Sequence, residues 1–167
     1  MPSFAILAFL TIAQAAPPPD DLASPEALVR AFYEGNSTEP AASHDWSRWR
    51  ALFLPSARIV AILRSPAGEE RTVDQSVDEF IAAAEPIRQK RAFREREVAH
   101  RDLRYGAVLQ RWSAYEAQLG AMPDATVIHG VNSLHLVQAG GRWRIAHVLW
   151  TNDKAAGPVP PEYLQDR

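Results

Sequence analysis

Apolar positions along the chain change their period once. In "SPEALVRAFYEGNS", Leu28, Ala31 and Phe32 recur at helical spacing behind Ser24 as N-cap and Pro25 at the first helical position, and Gly35-Asn36 closes the element. Trp46, Trp49, Leu52 and Phe53 repeat that period behind Asp45, and Pro55 is expected to stop this second helix. Residues 57–63, "ARIVAIL", form a β-branched run that reads as a strand, and a loop and a short strand follow. A third helix opens on the capping box of Ser76 and Glu79, carries a stripe of Val77, Phe80, Ile81 and Ala84, and is expected to end before Pro86. Beyond this point the pattern becomes that of strands. "FREREVAHRDLRY", "VLQRWSAYEAQ", "HGVNSLHLVQ" and "RWRIAHVLWTN" read as four long antiparallel strands, with turns near Gly106, across 120–124 and at Gly140-Gly141. Helices gathered in the first half and a meander in the second predict an α+β layer, in which three helices cover one face of a curved antiparallel sheet.

The two ends differ from this body. Residues 4–12, "FAILAFLTI", are too short to span a bilayer and match the apolar core of a secretory signal, with Ala13 and Ala15 at the positions signal peptidase reads. The expected division is a signal peptide over 1–15, an extended proline-rich leader over 16–23, a domain over 24–153 and an extended tail over 154–167, with the mature protein secreted or periplasmic. The absence of cysteine excludes a disulfide framework, a thiolate nucleophile and a cysteine-type zinc site. A net charge of -2 gives no general attraction to nucleic acid, and the basic residues between Arg88 and Arg104 alternate with Glu95, Glu97 and Asp102, the pattern of a solvated sheet edge.

The segments "SPEALVRAFYEGNS", "DWSRWRALFLPSARI", "VDEFIAAA" and "GGRWRIAHVLW" together resemble the nuclear transport factor 2-like (SnoaL-like) superfamily over 24–153. The resemblance implies a cone-shaped sheet wrapped round a cavity, the cystatin-like roll, and a homodimer packed sheet to sheet. Ketosteroid isomerase, an enzyme of that superfamily, uses a helix Tyr and two Asp residues. Leu28, Ala61 and Asn132-Ser133 stand near those places here, so that catalytic set is missing.

A two-residue turn at Gly140-Gly141 would set Leu136 opposite Ile145, Leu134 opposite His147 and Asn132 opposite Leu149. Asn132, Leu134, Leu136, Trp143, Ile145, His147 and Leu149 then share the face expected to be concave. Buried polar groups need partners, so Asn132 and His147 are each expected to meet another polar group, a water or a ligand inside the cone. Trp112 and Glu116 share a face of the neighbouring strand and complete the candidate ligand set of Asn132, His147, Trp112, Glu116, Leu134 and Leu149. His147, with an ordinary pKa near neutrality, is the candidate general base. No histidine spacing fits a metal site and no motif asks for a cofactor. The expectation is a pocket protein for a small, largely apolar ligand. The alternatives are a cofactor-free isomerase, dehydratase or cyclase acting through His147, and a dimeric interaction module whose cone is filled by its own side chains.

Overall fold

The computed structural model describes residues 19–39, 44–65 and 67–165. The expected signal peptide and the start of the leader lie outside the described residues. Helix α1 (Pro25–Asn36) starts where the Ser24 hydroxyl accepts the Ala27 amide, and it buries Leu28, Val29, Phe32 and Tyr33 against the sheet. Helix α2 (Trp46–Arg50) is capped by Asp45. Strands β1 (Phe53–Arg64) and β2 (Glu70–Ser76) form a hairpin, and α3 (Val77–Arg88) opens on the expected capping box. Strands β3 (Phe93–Tyr105), β4 (Val108–Leu119), β5 (Thr126–Ala139) and β6 (Arg142–Asn152) follow as a meander, and a short helix α4 (Asp153–Ala156) ends the body. The sheet order is β2-β1-β6-β5-β4-β3. Only the β1–β6 contact is parallel, so the sheet is mixed rather than wholly antiparallel.

Several boundaries differ from the sequence reading for identifiable reasons. The second helix stops at Arg50, and Phe53 and Pro55 already belong to β1, where the pairing with β6 is irregular between Phe53 and Arg58 and tolerates a proline. Helix α3 runs through Pro86 to Arg88, because a proline in the last turn forfeits a single hydrogen bond while the packing of Ile81 and Ala84 holds the helix in place. The leader is not extended throughout: Pro19–Leu22 is a 3-10 turn, Leu22 is in the core, and Asp21 accepts two hydrogen bonds of 2.9 Å from Arg48. The tail likewise contains α4 and a 3-10 turn at Pro161–Tyr163, whose tyrosine packs on Trp112.

Aromatic rings pack between the helices and the sheet. Trp49 stacks on Phe32 with ring centroids 5.8 Å apart and donates its indole N–H to the Phe32 carbonyl at 3.0 Å. Gly35 permits this approach, since a Cβ there would lie 2.7 Å from Trp49 Cδ1. Trp46, Phe53 and Trp143 are also buried, yet a cavity of about 340 Å³ remains between α1, α3 and the concave face of the sheet.

Candidate functional site

The register of β5 against β6 decides which polar groups reach this cavity. From the Gly140-Gly141 turn the pairing runs as expected through Leu136 and Ile145, and then His135 faces His147. One extra residue on β6, Ala146, forms a bulge. A bulge reverses the alternation beyond it, so Asn132 pairs with Trp150 and Leu134 with Val148. Asn132, Leu134, Leu136, Trp143 and Ile145 therefore lie on the concave face as expected, whereas His147 and Leu149 turn to the convex face. There the His147 ring meets His135 edge to face at 5.7 Å, and Leu149 is 38% exposed. His147 cannot serve the cavity as general base.

Strand β4 corrects two further residues. Its concave side carries Leu109, Arg111, Ser113, Tyr115 and Ala117, which pair across β5 with Leu136, Leu134, Asn132, Gly130 and Ile128. Trp112 and Glu116 do share a face, but it is the convex one, where Trp112 packs on Tyr163 and Glu116 pairs with Arg96 and His129. Leu134 is concave yet sealed in the core away from the cavity. Of the expected ligand residues, Asn132 alone lines it.

The residue that the sequence reading passed over is Glu95. It belongs to the edge strand β3, whose alternating charges suggest a solvated edge, but Phe93 and Glu95 face inward and both line the cavity. Asn36, at the end of α1, donates its amide N–H to Glu95 Oε2 at 2.5 Å, and Arg88, at the end of α3, donates to Asn36 Oδ1 at 3.1 Å. Glu95 is half-buried, and it lines both this cavity and a larger cleft along the outer side of α1. The dense surroundings dominate its protonation: desolvation raises the pKa to about 7, against the opposing pull of the Asn36 hydrogen bond, the Arg88 charge and Asn132. Burial similarly lowers the Arg88 guanidinium to about 10, with the Glu95 charge opposing it. The remaining walls are apolar, with Ile59, Leu63, Phe80, Ile128, Val148 and Trp150 among them.

A buried chain of hydroxyls extends from the cavity wall. Asn132 donates to Tyr33 Oη at 3.0 Å, Tyr33 lies 2.6 Å from Ser113 Oγ, and Ser113 donates to Glu97 Oε1 at 2.5 Å. Because the Ser113 proton is committed to Glu97, Tyr33 must donate to Ser113 and accept from Asn132. Burial keeps Tyr33 protonated, with its pKa well above the usual range, and desolvation does the same for Tyr115. Gly130 makes room for Tyr115: a Cβ at that position would lie 2.5 Å from its hydroxyl.

A larger, more open cleft of about 820 Å³ runs along α1 and the edge strand β3. Its charges are matched internally, as in Arg111 with Asp102, Glu97 and Glu26, Arg94 with Glu39, and Arg96 with Glu116. The smaller cavity combines apolar walls with polar groups that lack full compensation, and it is the better candidate site. Among the described residues, no group of three or more His, Asp or Glu side chains is arranged to hold a metal ion.

This arrangement recurs in solved structures. An uncharacterised protein with a cystatin-like fold from Caulobacter vibrioides matches 82% of this chain and 88% of its own at 18% identity, with a TM-score of 0.54. A candidate dehydratase of the NTF2-like family from Streptomyces avermitilis matches 74% of this chain and 88% of its own at 11% identity, also with a TM-score of 0.54. The chain has the nuclear transport factor 2-like fold. The CaMKII hub of S. rosetta shares it, over 76% of this chain and 89% of that one at 12% identity and a TM-score of 0.50. No protein-family model and no curated protein sequence matches the chain. At these identities the likeness establishes the nuclear transport factor 2-like fold alone, and any activity must be argued from the cone itself.

Proposed function

We propose that this protein takes a small, largely apolar molecule into its cone and exchanges a proton with it through Glu95, without a cofactor. The observation that carries the reading is a carboxyl with a pKa of about 7 on the wall of an apolar cavity of about 340 Å³. A base poised near neutral pH combines a useful ionised fraction with enough basicity to remove a proton, the tuning that proton-transfer catalysis needs. Isomerisation, dehydration and cyclisation all begin with such a step, and the candidate dehydratase with the same fold is consistent with it. Solvent deuterium exchange into enolisable cyclic ketones, followed by NMR, tests the proposal. Exchange should rise through an apparent pKa of about 7 and vanish in Glu95→Gln, while His147→Ala should retain it. Exchange that persists in Glu95→Gln, or is missing across the ketone panel in the wild type, would overturn the catalytic reading.

The site of action belongs to the same proposal: export directed by residues 1–15, with the mature domain outside the cytoplasm. N-terminal sequencing of the protein recovered from its native host should begin at Ala16. The proposed assembly is a homodimer through the convex face, supported by the exposed Leu103, Val108, Val127 and Leu149 there. Sedimentation at micromolar concentration should return twice the mass of the chain.

A further inference from the structure

Taking the cone as the binding site proposed above, we infer that its ligand is an apolar molecule bearing a carboxylate, and that the carboxylate binds against Arg88. The reason lies in the charge compensation of Arg88. This residue is only 9% exposed, and its Nε is buried without a hydrogen-bond partner. Its one hydrogen bond to a described side chain goes to the neutral Asn36 amide oxygen, and the face of the guanidinium lies 3.4 Å from the centroid of the Phe93 ring. No carboxylate among the described residues forms an ion pair with it.

Glu95 supplies only partial compensation. Its carboxyl is held by Asn36 rather than by Arg88, and burial pushes its pKa up to about 7, which weakens the compensation it gives near neutral pH. Arg71, an exposed residue of β2, also lines the cavity, so its charged lining is two arginines and one acid. A buried cation without an ionic partner is costly, whereas one in a charge-assisted hydrogen bond with a carboxylate is stabilised. The cavity as it stands therefore favours an anion over a neutral or cationic guest. Its volume of about 340 Å³ and apolar walls suit a ring system attached to that anion, and Arg88, which lines the cavity, supplies the charge that the anion meets.

Two probes of equal shape, 2-naphthoate and 2-naphthamide, test this by calorimetric titration of the whole protein at neutral pH. Naphthoate should bind about tenfold tighter or more, and it should shift the Arg88 Nε–Hε NMR resonance, which naphthamide leaves in place. Arg88→Met keeps an unbranched chain over Phe93 without the charge, and it should erase the preference. Equal affinities, tighter binding of the amide, or a preference that survives Arg88→Met would overturn the assignment. Should Arg88→Met fail to fold, the wild-type Nε–Hε response decides. Binding of naphthamide with no advantage for naphthoate leaves the cone a site for apolar molecules while removing the carboxylate. Binding of neither probe removes both.

Discussion

Glu95 couples the site to stability. Its folded pKa of about 7 exceeds the value of 4.5 for a free glutamate, so the native state holds this proton more tightly than the unfolded chain does. The resulting stabilisation is complete below about pH 4.5 and is lost as pH rises through about 7, amounting to about 3 kcal/mol. Desolvation sets this value, and Asn36 on α1, Arg88 on α3 and Asn132 on β5 all pull against it. Urea unfolding should therefore give a higher midpoint at pH 5 than at pH 8, and Glu95→Gln, a permanent mimic of the protonated acid, should flatten the difference. A slope unchanged by the substitution would assign the effect to other carboxyls. Tyr33 offers a second test at this scale. Tyr33→Phe removes an acceptor from Asn132 and a donor to Ser113 inside the core, and it should lower stability by about 1 to 3 kcal/mol in the same assay. Neither Glu95 nor Tyr33 stood out in the sequence. The charge alternation of "FREREV" suits a solvated edge, and nothing local reports that α1 and α3 will cover one side of that edge.

Strands β3 to β6 and helices α1 and α3 were legible because their spacing, caps and glycine turns agree with one another. The box at Ser76 and Glu79 is an example: Ser76→Ala should cost about 1 kcal/mol by chemical denaturation without altering the cavity, since both partners are exposed. Two elements misled for local reasons. In "RWRIAHVLW" both faces are apolar enough to be buried, so no hydrophobic pattern reveals the bulge at Ala146 that turns His147 outward and brings Trp150 inward. Pro86 carries an ordinary stop signal, yet tertiary packing keeps α3 helical through Pro86 to Arg88, and that extension delivers Arg88 to the cavity.

For the molecule as a whole, the aromatic packing beneath the helices leaves a cavity of about 340 Å³. Ala84, buried on α3 and lining the cavity, should accept Leu with little change in the thermal midpoint. The added bulk should weaken naphthamide binding about tenfold or more in calorimetry. A large loss of stability instead would mean that the space is already occupied. The sequence by itself determined the α+β class, the order of elements, the meander and the inward placing of Asn132, because each follows from local periodicity and from residues that cap or turn the chain. Tertiary structure alone decided the composition of the site. Glu95, Asn36 and Arg88 lie far apart along the chain on three elements, and their protonation and compensation arise from desolvation, which exists only once those elements close around a common space.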